Sequence, residues 1–261
     1  MPFPNFPKKY NGTPILSAGD VIAYQRKQGY MFKNVPPLDG AIICLNRGLP
    51  ERLKRKFPYK KASNYIGDLY ILRLSDKNIA VATNFGFGAP VVAALAEELV
   101  TLGTKRLISI GLAGALQPDL ISGDLVLCQK AIRDEGTSHH YLPTEKYVNA
   151  SQTLVNELGK SLEVAGRLAI KGATWSTDAP FRELREEVQQ YQSEGIQTVE
   201  MESAALFAVA QVRGIQAASV FVVGDSLAGG TWRPPGDLRS LDNSFEAVYG
   251  AVIETLAGTT G

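Results

Sequence analysis

The sequence predicts an α/β protein: a single-domain, three-layer α/β/α fold on a central, mixed and largely parallel sheet. Two observations carry that reading. Short apolar runs rich in β-branched residues alternate with segments of helical spacing, and few hairpin-type turns separate them. The chain has 261 residues, 45% of them hydrophobic, which suffices for one large core.

Residues 1–37 read as an N-terminal arm rich in Pro, Tyr and Lys, with a short helix around 20–28 and an end at Pro36–Pro37. Residues 38–261 form the body. Its first strand is 41–45, and 69–74 with 78–84 reads as a hairpin about Asp76–Lys77. Residues 90–102 have apolar positions at helical spacing and Gly103 as a stop. A buried strand at 107–110 leads into a small-residue turn, Gly111 to Gly114, and 124–132 is another strand. Ser151 is a good N-cap for a helix to about 164. The remaining strands are 167–175, 198–201 and 217–223. The remaining helices are 183–192, 203–212 (closed by Gly214) and 243–256.

Bulk composition excludes several classes. The 27 basic and 26 acidic residues leave a net charge of +1, so no nucleic-acid footprint or anionic-membrane binder is expected. Pro2, Pro4 and Pro7 oppose a signal helix, and Glu97 and Glu98 break the best apolar run. Cys44 and Cys128 lie far apart without metal-ligand spacing and read as reduced, buried thiols. A cytoplasmic protein without membrane or nucleic-acid partners is the expectation.

Chemistry concentrates in two places. In Val199-Glu200-Met201-Glu202-Ser203 an acidic pair flanks a methionine where a strand gives way to a helix. Asp225 ends a second apolar strand, and no obvious helix follows for it to cap. Ser203 offers itself as the cap of the first helix, which leaves Glu202 for a ligand. In open α/β sheets, ligands bind at this carboxyl edge. Other segments have both a functional and an ordinary reading. Gly48-Leu49-Pro50-Glu51-Arg52 could bring backbone and guanidinium to an oxyanion, or be a strand-to-helix turn on a basic surface. Gly86-Phe87-Gly88-Ala89-Pro90 places glycines at a helix N-terminus, where anions are attracted. In Ser176-Thr177-Asp178-Ala179-Pro180-Phe181, Phe181 could stack on a heterocycle or belong to the core. Residues 134–141 hold both histidines, His139 and His140, without metal-ligand spacing; a loop at the pocket rim or a subunit boundary is expected, and no metal.

Taken together these residues resemble the nucleoside phosphorylase family of the trimeric and hexameric type. It includes bacterial purine nucleoside phosphorylases, uridine phosphorylases and methylthioadenosine/S-adenosylhomocysteine nucleosidases. The likeness runs from about residue 40 to 256, with 199–205 as the most specific signature. Residues 110–118 and 123–126 read closest to the uridine phosphorylase branch, as do 134–143. The resemblance implies a catalytic body at 38–261 that cleaves the N-glycosidic bond of a ribonucleoside, a purine nucleoside or uridine, with inorganic phosphate as co-substrate and no further cofactor. It implies that Met201 and Glu202 hold the ribose and that Gly48 and Arg52 hold phosphate. Pro180 and Phe181 would line the base site, and Asp225 would protonate N7 of a leaving purine. It also implies a homo-oligomer, a dimer or a trimer of dimers.

The chain departs from the family pattern at definite places. Ser109 and Leu112 stand where many of these phosphorylases have an arginine and a Ser or Thr for phosphate. Asn64–Tyr65 stands where a neighbouring subunit donates an arginine, and the family's N-terminal histidine is missing. Arg182-Glu183-Leu184-Arg185-Glu186 replaces the uracil-reading Gln-x-Arg. Asp225 points to purines, because uracil carries no N7. Two other readings stay open: a hydrolytic nucleosidase, favoured by Ser109, and a nucleoside-binding protein without turnover, favoured by Leu112.

Overall fold

The computed structural model describes residues 4–30, 35–46, 56–62, 66–74, 76–236 and 238–258. Among these residues the strands are β1 (Gly40–Cys44), β2 (Tyr59–Ala62), β3 (Asp68–Leu74), β4 (Lys77–Thr83), β5 (Arg106–Ala115), β6 (Leu125–Asp134), β7 (Tyr147–Asn149), β8 (Ala169–Thr177), β9 (Ile196–Glu200) and β10 (Gln216–Ser226). The α-helices are α1 (Ala18–Gln28), α2 (Ala89–Thr101), α3 (Gln152–Val164), α4 (Arg185–Ser193), α5 (Ser203–Arg213) and α6 (Leu238–Ala257).

The strands form one mixed sheet with two parallel blocks. One block runs β4-β1-β5-β10 and the other β6-β8-β9. Antiparallel pairs join the blocks, β10 to β6 and β5 to β9, so β5, β10, β6, β8 and β9 close into a ring. The β3–β4 hairpin and β2 continue the sheet beyond β4.

Strand alternation sends successive side chains to opposite faces and so builds three layers. From β1, Ala41 and Ile43 pack with α2 and α5, among them Leu95, Leu99 and Phe207. Ile42 and Cys44 pack on the other face with α3 and α6, among them Leu158, Phe245 and Val252. Trp175, Val188 and Val199 form a smaller cluster beneath α4. Cys44 and Cys128 are free and buried, as expected. No helix among the described residues is long and apolar enough to cross a membrane.

The structure departs from the sequence reading in places: that reading contains neither β2 nor β7, and α6 begins at Leu238 rather than 243. Gly111 to Gly114 is not a turn: β5 continues through it to Ala115. The returning strand β9 pairs with Gly114 and Ala115 and keeps that stretch extended. The glycines serve close packing instead. A Cβ on Gly111 would meet Leu45 at 3.1 Å, and one on Gly114 would meet Val199 at 3.1 Å.

Candidate functional site

The site arises from how one strand shares an edge. β10 covers one edge of β5 along most of its length. On the other edge β1 reaches only to Ile110, and β9, running the opposite way, pairs only at Gly114 and Ala115. The edge between them, Gly111 to Ala113, is left without a partner strand. The C-terminal ends of β1 and β9 meet there, and Leu112 stands 50% exposed in the gap.

Two cavities adjoin this gap and share Leu112, Glu200 and Met201 as walls. The first, about 460 Å³, is also lined by Cys44, Leu45, Thr83, Asn84, Phe87 and Glu202. The second, about 790 Å³, is also lined by Pro180, Phe181, Glu183, Arg185, Asp225 and Trp232. Glu202 and Asp225 therefore stand in adjoining lobes with Met201 between them.

Glu202 is buried and accepts the backbone N–H of Gly88 at 2.7 Å and of Met201 at 3.1 Å. Gly88 precedes α2 with φ 100° and Gly86 has φ 91°, conformations that suit glycine. Pro90 in the first turn lacks an N–H that would otherwise need a partner. The glycine loop so presents an amide to the acid, at a helix end where negative charge is favoured.

The cap of α5 is a correction to the sequence reading. Ser203 does not cap its helix; its Oγ donates to Ser219 Oγ at 2.9 Å in the core. Glu200 does the capping, because β9 delivers its side chain directly over the helix start. Its Oε2 accepts the N–H of Glu202 at 2.9 Å and of Ser203 at 2.8 Å. Ser176, from the end of β8, takes the N–H of Ala204 at 3.0 Å and donates its hydroxyl to Glu200. Burial raises both carboxyls of the Glu200–Glu202 pair, and the Glu202 charge adds to the effect on Glu200.

Asp225 ends β10 beside the second lobe. Its Oδ2 accepts the indole N–H of Trp232 at 2.6 Å. A Cβ on Gly114 would lie 3.4 Å from its Oδ1, so glycine at that position leaves the carboxylate room. Pro180 and Phe181 share the lobe, and Phe181 is 99% exposed rather than part of the core. Glu183, which the sequence reading passed over, has its carboxyl pushed up to about 7 by burial first and then by the charges of Asp225 and Glu187.

Other candidates fall elsewhere. Gly48 and Arg52 lie outside the described residues. Ser109 is buried and donates to Ser219 Oγ at 2.6 Å, so its hydroxyl belongs to a serine chain in the core. His139 and His140 line neither lobe. Their loop is organised by the buried Arg133, which donates to Ser138 Oγ at 2.9 Å and to the Leu142 carbonyl at 3.2 Å. Glu135 caps the same loop through the N–H groups of Thr137 and Ser138. Among the described residues no group of three or more His, Cys, Asp or Glu is placed to hold a metal ion.

Comparison with known proteins agrees with this architecture. A profile of the phosphorylase superfamily matches residues 41–258. Uridine phosphorylase of Salmonella typhimurium is 27% identical over 202 residues, covering 70% of this chain and 79% of its own. Guanosine phosphorylase of Halorubrum lacusprofundi is 32% identical over 145 residues, covering 56% and 60%. The crystal structure of uridine phosphorylase from Vibrio fischeri, solved with 6-hydroxy-1-naphthoic acid, superposes with a TM-score of 0.69. It is 25% identical and covers 84% of this chain and 90% of its own.

Proposed function

The chain belongs to the phosphorylase superfamily, matched over residues 41–258, and on that premise we propose that it is a nucleoside phosphorylase. It cleaves the N-glycosidic bond of a ribonucleoside with inorganic phosphate, giving free base and ribose 1-phosphate. The observation that carries this reading is the pair of lobes joined at Glu200 and Met201, with Glu202 in one and Asp225 in the other.

In this reading the ribose lies across Met201, with its hydroxyls donating to Glu202. A carboxylate suits a diol, because it accepts two hydrogen bonds at once. Phosphate attacks C1′ from the first lobe, and Gly48 and Arg52 are the residues that the family resemblance assigns to hold it. The base leaves into the second lobe past Pro180 and Phe181. Negative charge develops on the leaving base, and Asp225 faces it as the proton-transfer group. Phosphate is the co-substrate and no cofactor enters. The protein acts in the cytoplasm as a homo-oligomer, a dimer or a trimer of dimers.

The base is a purine or uracil. Asp225 beside the second lobe supports a purine, as does likeness to a guanosine phosphorylase; likeness to uridine phosphorylases supports uracil. One observation favours hydrolysis as a second reading. Ser109 is tied into the core and Leu112 fills the gap, so neither adds a charge or a hydroxyl for phosphate. A panel of purine and pyrimidine nucleosides incubated with and without phosphate decides between the two. Base release that needs phosphate supports phosphorolysis. Equal release without phosphate makes the protein a hydrolase, and binding without release removes the catalytic reading.

A further inference from the structure

Besides Asp225 and the helix-capping Glu200, the second lobe is lined by an acid that the proposed mechanism does not use. Glu183 lies between the turn at Pro180–Arg182 and α4, half-buried, on the wall it shares with Asp225. Among the described residues no donor makes a hydrogen bond to its carboxyl. Asp225 differs: its Oδ2 accepts the indole N–H of Trp232 at 2.6 Å. One carboxyl of the lobe is fixed, and the other is unoccupied and faces the same space.

We propose that Glu183 is a second acid of the base lobe: it holds a proton across the cavity from Asp225, and the departing base takes it. The proposal rests on the phosphorylase reading for its reaction, and on the lobe's geometry for the placing of Glu183. A half-buried carboxyl that faces a second carboxylate in the same cavity does not ionise cheaply, so Glu183 is the group that retains a proton. The position of Glu183 near 7 agrees, with burial and the charges of Asp225 and Glu187 as its causes. The other charges around it are Arg185, which lines the same lobe and lies against Gly230, and Glu200 on the shared wall.

The step balances. The C1′–N bond breaks and its electron pair goes to the base, while a phosphate oxygen forms the new bond to C1′. The proton moves from the Glu183 carboxyl to a ring nitrogen of the base, leaving Glu183 ionised. Solvent returns the proton after the base departs.

Two measurements test this. The first needs no turnover: the fluorescence of Trp232 is followed against pH, with Trp232→Phe identifying its share of the signal. The expected transition near 7 disappears in Glu183→Gln and survives in Glu98→Gln. Its persistence in Glu183→Gln overturns the proposal. The second uses a purine ribonucleoside and its N7-methylated counterpart, whose base leaves without protonation. Glu183→Gln is expected to lower kcat on the first by about 100-fold and to leave the second within about threefold, with KM nearly unchanged. Equal losses on both substrates, or no loss on either, overturn the catalytic role. If the wild-type protein releases no base with phosphate, the phosphorylase reading fails, and the fluorescence titration alone decides whether Glu183 holds its proton.

Discussion

Glu202 accepts the N–H of Gly88 at 2.7 Å, although 114 residues separate them in the chain. That contact fixes the acid at the N-terminus of α2, and its other oxygen, which accepts the Met201 N–H, completes its hold on the wall of the first lobe. It joins the two segments that sequence reading picked out separately, the glycine loop and the acidic pair.

Glu202→Gln keeps the size of the side chain and removes its charge. Hydrogen bonds to a charged group contribute roughly 1.5–3 kcal/mol, so kcat/KM is expected to fall about 10- to 100-fold. Loss of a ribose contact also predicts weaker nucleoside binding in calorimetry, with the fold intact by circular dichroism. A variant that binds nucleoside as tightly as the wild type would remove Glu202 from the sugar site.

Asp225→Asn tests the other end of the substrate. The asparagine retains an acceptor for Trp232 and cannot deliver a carboxyl proton, so the rate should fall on the order of 10²- to 10⁴-fold. Trp232→Phe should cost less, because it removes the anchor and leaves the acid. Equal rates for Asp225→Asn and the wild type, measured as phosphate-dependent base release, would contradict the assignment.

Much of this site was legible because its chemistry sits where apolar strands stop. Glu202 and Asp225 end runs that read as β, and a charge there is costly without a purpose. The strands of β1, β3 and β4 announced themselves by β-branched apolar residues, and Gly214 ended α5 in a left-handed turn as expected. What failed was whatever depends on a distant partner. Gly111 to Gly114 looked like a turn because glycine breaks strands, and only the returning β9 keeps it extended. The capping role of Glu200 is not readable in the sequence, because the helix amides it caps come near only once β9 and α5 are placed. Glu183 carries no local signal; Asp225 gives it meaning from the other side of a cavity.

Glu98 gives a stability prediction with a definite sign. It is buried in α2, its Oε2 finds no hydrogen-bond partner among the described residues, and burial pushes its carboxyl from 4.5 up to about 7. Between those values the folded chain keeps a proton that the unfolded chain has lost. Stability therefore falls as pH rises through this window and stays lower above it. Glu98→Gln removes the penalty, so the variant should gain on the order of 1–2 kcal/mol over the wild type at about pH 8 and little at about pH 4. Urea denaturation at both pH values measures the difference; the same gain at both would rule out titration of Glu98 as the cause.

Leu112 decides how well the first lobe can serve phosphate. It stands in the gap on the β5 edge, half exposed, and presents only hydrocarbon to both lobes. Leu112→Thr puts a hydroxyl there without burying a polar group in the core. One added hydrogen bond to the phosphate anion, about 1.5–3 kcal/mol, corresponds to roughly a 10- to 100-fold lower KM for phosphate. Arginine at position 109 cannot be restored in the same way. Ser109 is 1% exposed and bonded to Ser219, so Ser109→Arg forces a charge into the packed core and should yield little folded protein. Phosphate-saturation curves for Leu112→Thr therefore separate the two readings of the reaction. A lower KM at unchanged kcat fits phosphorolysis through this lobe, and base release indifferent to phosphate in both proteins fits attack by water.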